Sequence, residues 1–184
     1  MASTTDPPGS GLVLLLGGAR SGKSALAVRW GRAHAGPVSV VATAEAGDDE
    51  MRERIARHRA ERPGGWHTIE EPLEIAGALR SADPRALVIV DCLTLWLANV
   101  LDLRDADILA MGDDFTAAAR GRHAPTVVVS NEVGWGVVPA DPATRRYRDP
   151  LGEINTRVAD AAARALLMVA GRALPLQQPP PSPI

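Results

Sequence analysis

The stretch Gly17-Gly18-Ala19-Arg20-Ser21-Gly22-Lys23-Ser24 determines the fold class of this 184-residue chain. It matches G-x-x-x-x-G-K-[ST] at every position, a pattern in which backbone N–H groups surround phosphates. The apolar run Leu12–Leu16 precedes it and an Ala-rich helical pattern follows. The alternative is a Gly-rich turn with an incidental lysine, but a strand before and a helix after favour phosphate binding at the helix N-terminus. Lys23 would then contact the β and γ phosphates, and Ser24 would offer its hydroxyl to Mg²⁺.

Short apolar runs alternate with helical patterns along the rest of the chain. The predicted strands are Leu12–Leu16, Val38–Thr43, Leu87–Asp91, Thr126–Ser130 and Leu166–Ala170. The predicted helices are Lys23–Ala35, Asp48–Glu61, Pro72–Ser81, Leu93–Leu103, Ala106–Arg122 and Pro142–Ala165, the last interrupted near Pro150. Continuous apolar strands are typical of parallel sheets covered on both faces. We therefore predict one α/β domain with a mostly parallel sheet and helices on both faces.

Length, charge and the chain ends narrow the class of protein. A net charge of −2, from 20 basic and 22 acidic residues, argues against a nucleic-acid binder. The only cysteine, Cys92, excludes an internal disulfide framework and is compatible with the cytoplasm. With no secretory signal and no apolar run of about 18 residues, we expect a cytoplasmic protein without membrane insertion. The expected organisation is a flexible leader at 1–10, a domain at 11–174 and a Pro-rich tail at 175–184.

Two acidic residues follow predicted strands. Asp91 ends the apolar run Ala86–Val90, where the acid that holds the metal of a phosphate loop belongs. The alternative for Asp91 is an ordinary cap of the next helix. Ser24 and Asp91 are thus the predicted metal ligands. Glu132 follows the next strand and could act as a base, support a metal or shape its loop; the pattern does not separate these roles.

The helix predicted at 48–61 is strongly basic and contains one histidine. Met51, Ile55 and His58 share one face, so the imidazole of His58 points toward the body of the protein. A histidine can carry a phosphoryl or nucleotidyl group as a covalent intermediate, and neighbouring arginines can hold a triphosphate. On the pattern alone, however, a solvated, salt-bridged helix face with a histidine at its border is the favoured interpretation.

Taken together, several stretches resemble one family, the bifunctional adenosylcobinamide kinase / adenosylcobinamide-phosphate guanylyltransferases of cobalamin biosynthesis. The resemblance covers about residues 12–174. The stretches are Leu16–Ser24, Ala42-Thr43-Ala44, Asp48-Asp49-Glu50-Met51 with Arg54-Ile55 and His58, Arg62-Pro63, Trp66, Thr68, Glu70, Asp91-Cys92-Leu93-Thr94, Ser130-Asn131-Glu132-Val133-Gly134 with Gly136-Val137-Val138-Pro139, and Tyr147-Arg148-Asp149 with Gly152, Asn155 and Ala159.

The resemblance implies a RecA-like P-loop NTPase fold, a homotrimer and two reactions. One phosphorylates adenosylcobinamide, and the other transfers GMP from GTP to the resulting phosphate through a histidine–GMP intermediate. By position, the implied catalytic residues are His58 and Lys23, the nucleotide is GTP or ATP, and Mg²⁺ assists. The implied nucleotide contacts are Gly17, Gly18, Ala19, Arg20, Ser21, Gly22, Lys23, Ser24, Thr43, Ala44, Glu45, Arg59, Ala60, Glu61, Arg62, Glu70 and Asp91.

Two other hypotheses remain open from the residues. A small-molecule kinase without a covalent step would use the phosphate loop and Asp91 but not His58. A nucleotide-gated assembly ATPase would hydrolyse nucleotide without a small-molecule acceptor.

Overall fold

The computed structural model describes residues 6–180 and shows an α/β fold built on one sheet. Within these residues the strands are β1 Leu12–Gly17, β2 Val38–Ala42, β3 His67–Glu70, β4 Leu87–Asp91, β5 Thr126–Val129, β6 Arg164–Val169 and β7 Arg172–Leu176. The helices are α1 Lys23–Ala33, α2 Asp49–Ala60, α3 Ile75–Ser81, α4 Leu93–Val100, α5 Asp105–Arg120 and α6 Pro142–Ala161.

The strand order across the sheet is β3-β2-β4-β5-β1-β6-β7. All neighbouring strands are parallel except β7, which pairs antiparallel with β6. Because β5 lies between β1 and β4, the loop after β5 emerges between the phosphate loop and Asp91. The predicted mostly parallel sheet is confirmed, and this order brings three candidate segments to one edge.

Helices cover both faces of the sheet, as predicted. On one face α3, α4, α5 and α6 pack with residues such as Trp96 and Phe115, which are fully buried. On the other face α1 packs through Leu26, Ala27 and Trp30. Strand β1 contributes alternate residues to both clusters, so its continuous apolar run reflects burial from two sides.

Two strands were not predicted, and one begins earlier than predicted. Strand β3 has only four residues, and its His67, Thr68 and Glu70 break any apolar run. Strand β7 follows a tight turn in which Ala170 and Gly171 have φ of 47° and 73°. Strand β6 begins at Arg164 rather than at Leu166. Strands β3 and β7 lie at the two edges of the sheet. They form because β2 and β6 offer them hydrogen bonds, and a local sequence pattern cannot show this pairing.

The predicted interruption at Pro150 is wrong, because α6 runs unbroken from Pro142 to Ala161. Asp141 caps its start by accepting a hydrogen bond from the Thr144 N–H at 2.8 Å. A proline inside a helix costs about 3 kcal/mol. Pro150 and the following Leu151 are buried, so tertiary packing offsets that cost. The helix also ends four residues before the predicted Ala165, since β6 begins at Arg164.

Parts of both predicted end segments contact the domain. The carbonyl oxygen of Asp6 accepts a 2.9 Å hydrogen bond from Arg164 Nη2, and Pro8 is buried. Strand β7 extends through Pro175 and Leu176, two residues into the stretch assigned to the Pro-rich tail at 175–184. The sheet edge tolerates Pro175, which has no N–H to donate. The remaining parts of the leader at 1–10 and of the tail, residues 1–5 and 181–184, lie outside the described residues.

None of the helices between residues 6 and 180 is long and apolar enough to cross a bilayer.

Candidate active site

A cleft of about 1260 Å³ opens at the carboxyl ends of the parallel strands. The phosphate loop and the start of α1 form one side, and α2 forms the other. The ends of β2, β3, β4 and β5 form the floor, through residues that include Ala42, Glu70, Asp91 and Val129. Ligands of open α/β sheets bind at this edge, so the cleft is the candidate active site.

The phosphate loop has a backbone shape that depends on its glycines. Gly17 and Gly22 have φ of 145° and 102°, values that residues with a Cβ rarely adopt. A Cβ on Gly17 would lie 2.3 Å from the Met168 carbonyl oxygen. From the turn between β6 and β7, the Gly171 N–H donates to Ser21 O at 3.0 Å. The loop is thus held closely against β6 and the turn that follows it.

Lys23 lies inside the loop with its amine surrounded by carbonyl oxygens. Its Nζ donates to Gly17 O at 2.8 Å and to Gly18 O at 2.7 Å. Burial lowers the pKa of Lys23, partly offset by Cys92 and Asp91. The amine lies within the loop, and its donors can bind phosphate oxygens in place of these carbonyl oxygens.

Asp91 lies at the centre of the cleft and faces residues from three segments. Its Oδ1 is 3.5 Å from Ser24 Oγ. Its Oδ2 is 3.6 Å from His58 Nδ1 and 3.6 Å from Arg62 Nη2. The side chain of Arg62 is 11% exposed and that of Asp91 is 15% exposed, so this charge pair is largely shielded from water. The structure thus brings together residues from three stretches of the chain, around 24, 58–62 and 91.

Helix α2 carries His58 but contributes no fully buried residue to the core. Asp48 caps its start by accepting a hydrogen bond from the Met51 N–H at 2.7 Å. Near its end, Arg32 of α1 donates to Glu61 O at 3.1 Å. His58 lines the cleft with its side chain 33% exposed, so the imidazole is neither a core histidine nor a fully solvated one.

Arg59 and Glu70 form an exposed pair across the mouth of the cleft, with Nη1 and Oε1 3.1 Å apart. Both residues line the cleft, together with Ala44 and Glu45 from the loop after β2. Exposed pairs contribute little to stability, and this pair is open to exchange for polar groups of a ligand.

Five predicted contact residues do not line the cleft. Gly17 and Gly18 instead accept hydrogen bonds from Lys23 Nζ through their carbonyl oxygens. Thr43 is fully buried, and its Oγ1 donates to Cys92 O at 2.8 Å and accepts from Cys92 N at 2.9 Å. Its side chain therefore ties the ends of β2 and β4 together. Ala60 and Glu61 are exposed outside the lining, at the end of α2.

Asn131, rather than Glu132, is the residue after β5 that lines the cleft. The Asn131 N–H donates to Thr94 Oγ1 at 2.9 Å, and Asn155 Nδ2 donates to Asn131 O at 3.1 Å. Glu132 instead shapes its own loop, because its Oε1 accepts from the Gly134 N–H at 2.7 Å. The available signal for Asn131 was a polar residue two positions beyond a buried strand.

The comparisons with known proteins agree with this geometry. A family model described as "Cobinamide kinase / cobinamide phosphate guanyltransferase" matches residues 13–176. The chain belongs to this family. Among curated relatives, the bifunctional adenosylcobalamin biosynthesis protein CobP of Pseudomonas aeruginosa is 46% identical over 169 residues, covering 91% of this chain and 98% of the relative. The protein CobU of Salmonella typhimurium is 36% identical, covering 87% of this chain and 96% of the relative. The family predicted from the motifs is confirmed.

The fold of this cobinamide kinase / guanylyltransferase family member also resembles solved structures that are distant in sequence. The protein PH0250 of Pyrococcus horikoshii has a TM-score of 0.54 at 10% identity, covering 90% of this chain and 85% of that one. The RadB recombinase has a TM-score of 0.50 at 17% identity, covering 85% and 73%. These likenesses concern the fold alone and support the predicted RecA-like architecture.

The cleft offers few protein ligands for a metal, and those it offers are oxygen donors of the kind that Mg²⁺ prefers. Within residues 6–180 no group of three or more His, Cys, Asp or Glu residues is arranged to hold a metal. Ser24 and Asp91 supply two neighbouring oxygen donors beside the phosphate loop. Mg²⁺ commonly binds through one or two protein oxygens, with water and phosphates completing its shell.

Proposed function

We propose that this protein phosphorylates adenosylcobinamide and then transfers GMP from GTP onto the phosphorylated product through a His58–GMP intermediate. The observation that carries the proposal is the meeting of a phosphate loop and an imidazole across Asp91 in one cleft. A kinase without a covalent step needs the loop and the acid, but it has no use for a histidine on that side. Membership of the family supports both reactions.

The nucleotide would bind with its phosphates in the loop, where N–H groups and the α1 N-terminus favour negative charge. Lys23 would bind the β and γ phosphates, and Ser24 and Asp91 would hold Mg²⁺, which neutralises charge on the phosphates. The remaining contacts that line the cleft are Ala44, Glu45, Arg59, Arg62 and Glu70. The other predicted contacts are left out because they do not line it: Gly17, Gly18, Thr43, Ala60 and Glu61.

In the kinase reaction, the hydroxyl oxygen of the acceptor bonds to the γ phosphorus of ATP or GTP. The bond from that phosphorus to the bridging oxygen breaks, and the hydroxyl proton leaves to solvent. Lys23 would stabilise the charge that develops on the phosphate oxygens. One phosphate loop serves both reactions in turn, since the GTP of the second reaction needs the same loop for its triphosphate.

In the transfer reaction, the imidazole of His58 displaces pyrophosphate from the α phosphorus of GTP. The phosphate of the acceptor then displaces the imidazole, which releases adenosyl-GDP-cobinamide. Arg62, near Asp91 Oδ2, and Arg59, at the rim of the cleft, would bind the leaving pyrophosphate.

Labelling with GTP that carries ³²P at the α phosphorus tests the covalent step. We expect acid-labile, base-stable label on the wild type and none on His58→Asn, which should keep most of its kinase activity. His67→Asn is the matched control, because His67 is an exposed histidine on β3 outside the cleft lining. Label remaining on His58→Asn, or loss of both activities in that variant, would contradict the proposal.

We also propose that the protein is a homotrimer, as in the family it resembles. Support comes from the apolar loop after β5, in which Trp135 is 75% exposed and Val137 is 94% exposed. Contiguous apolar surface of this kind is uncommon on monomers. Light scattering should give three times the 19.4 kDa mass of one chain. Trp135→Glu should lower that mass, and a monomeric wild type would disprove the assembly.

A further inference from the structure

The two carboxylate oxygens of Asp91 face different residues. Oδ1 faces Ser24 Oγ at 3.5 Å, on the side where the proposed metal would be held. Oδ2 faces His58 Nδ1 at 3.6 Å. The side chain of Asp91 therefore lies beside both Ser24, a proposed metal ligand, and His58, which would carry GMP.

We propose that Asp91 is the positioning residue of His58 and that Nε2 of His58 is the nitrogen that bonds to GMP. This inference rests on the proposed function. A neutral imidazole has one N–H, and a carboxylate only accepts hydrogen bonds. With Oδ2 beside Nδ1, the proton of the ring belongs on Nδ1, and the lone pair is left on Nε2.

The distance between Asp91 Oδ2 and His58 Nδ1 suits a contact that closes on binding. At 3.6 Å it exceeds the 2.7–3.2 Å range of hydrogen bonds that involve nitrogen donors. Hydrogen bonds of catalytic groups are often long without ligand and tighten once substrate is bound. Helix α2 has no fully buried residue, so a small shift of the helix toward β4 meets little resistance from core packing.

Arg62 contributes to the same arrangement from the other side of the carboxylate. Its Nη2 lies 3.6 Å from Oδ2, the oxygen that faces His58. A guanidinium only donates hydrogen bonds. Arg62 and an Nδ1–H of His58 would therefore both approach Oδ2 of Asp91 as donors, which agrees with the proposed tautomer of His58.

The covalent step balances without any proton transfer at the ring. The lone pair on Nε2 forms the bond to the α phosphorus, and the bond to the bridging oxygen breaks, so its electron pair leaves with pyrophosphate. The ring becomes an imidazolium with its proton still on Nδ1, and the charge of Asp91 stabilises it. When a phosphate oxygen of the acceptor attacks the same phosphorus, the N–P electrons return to Nε2.

Nitrogen-15 NMR of histidine-labelled protein saturated with the α,β-methylene analogue of GTP, which His58 cannot cleave, tests the positioning role with the contact closed. We expect the Nδ1–H tautomer of His58 to dominate in the wild type. Asp91→Asn should shift the tautomer ratio toward Nε2–H by about tenfold, the effect of losing one charged hydrogen-bond partner. Ser24→Ala removes the neighbour of Oδ1 only, and should leave the ratio unchanged. An unchanged ratio in Asp91→Asn, or an equal shift in Ser24→Ala, overturns the inference.

The linkage of the adduct gives a second test that needs only the wild type. After incubation with GTP, the labelled protein is digested and the phosphorus–nitrogen coupling identifies which ring nitrogen carries GMP. We expect linkage at Nε2, and linkage at Nδ1 overturns the inference while leaving the proposed function intact. If no adduct forms at all, the proposed function fails, whereas the tautomer measurement still stands by itself.

Discussion

Replacing Lys23 with methionine separates the chemical role of this residue from its structural one. Lys23 is the only lysine of the chain. Its amine is buried and donates to Gly17 O and Gly18 O. Methionine has a similar length and fits the same space, but it has neither charge nor donor. The variant therefore removes the proposed interaction with phosphate while preserving most of the packing.

We expect a large loss of activity and a small change in stability. Two hydrogen bonds from a charged donor contribute about 1.5–3 kcal/mol each. Partial burial of an ammonium costs several kcal/mol, which offsets that contribution. The free energy of unfolding should therefore change by less than about 2 kcal/mol, or roughly 4–8 °C in Tm for a chain of this size. Both reaction rates should fall by about 10²–10³-fold, as when a buried donor to a developing anion is removed.

The pH dependence of stability has a definite sign for this residue. Burial lowers the pKa of Lys23 below its ordinary 10.5, so the unfolded chain binds this proton more tightly than the folded one. Between the folded pKa and 10.5 the unfolded state holds more protons, and stability of the wild type rises with pH across that alkaline interval. Lys23→Met lacks this rise.

Three measurements check the reasoning about Lys23. Urea denaturation of wild type and Lys23→Met gives the stability difference, and steady-state assays give both rates. Carbon-13 lysine labelling gives a single side-chain signal, whose titration reports the pKa of Lys23 directly. A stability loss above about 3 kcal/mol would show that the amine mainly holds the loop together. A signal that titrates above 10.5 would refute the argument from burial.

Two further predictions concern stability and use matched controls. Gly17→Ala should lose about 2–4 kcal/mol in urea denaturation, because its Cβ would meet the Met168 carbonyl oxygen at 2.3 Å with φ at 145°. Gly18→Ala, with nothing within 4 Å of the added Cβ, should stay within about 0.5 kcal/mol, and equal losses would contradict this contact analysis. Arg122→Met should lose about 3 kcal/mol by the same assay, because its guanidinium donates to the carbonyl oxygens of Leu79, Asp83 and Ala86 at 2.8–3.0 Å. The exposed Arg120→Met should change by less than about 0.5 kcal/mol, and a comparable loss there would mean that the charge of the region matters rather than these bonds.

The core of the fold was predictable from local patterns. The five apolar runs were all strands, because burial on both faces leaves no polar position in the pattern. Strands β3 and β7 were missed since each lies at an edge and carries exposed residues. Pro150 was overrated as a helix breaker because the pattern does not reveal the packing that offsets it.

The sequence predicted those residues of the candidate site whose place follows from their position at the end of a strand. The phosphate loop and Asp91 are of this kind, since each follows directly from a strand end. Thr43 also follows a strand end, yet its side chain turns inward to Cys92 rather than to the cleft. The direction of a side chain that follows a strand depends on its contacts with neighbouring segments, which the sequence does not show. For the same reason Asn131, rather than Glu132, lines the cleft.

The chain alone specified a phosphate loop between a buried strand and a helix, because glycine spacing and apolar runs act over a few residues. It also carried the motifs of its family, which match over residues 13–176. Only the folded molecule placed Ser24, His58 and Arg62 around Asp91, residues up to 67 positions apart. Contacts across such separations depend on the strand order and on where α2 lies over the sheet edge, and no local pattern contains either.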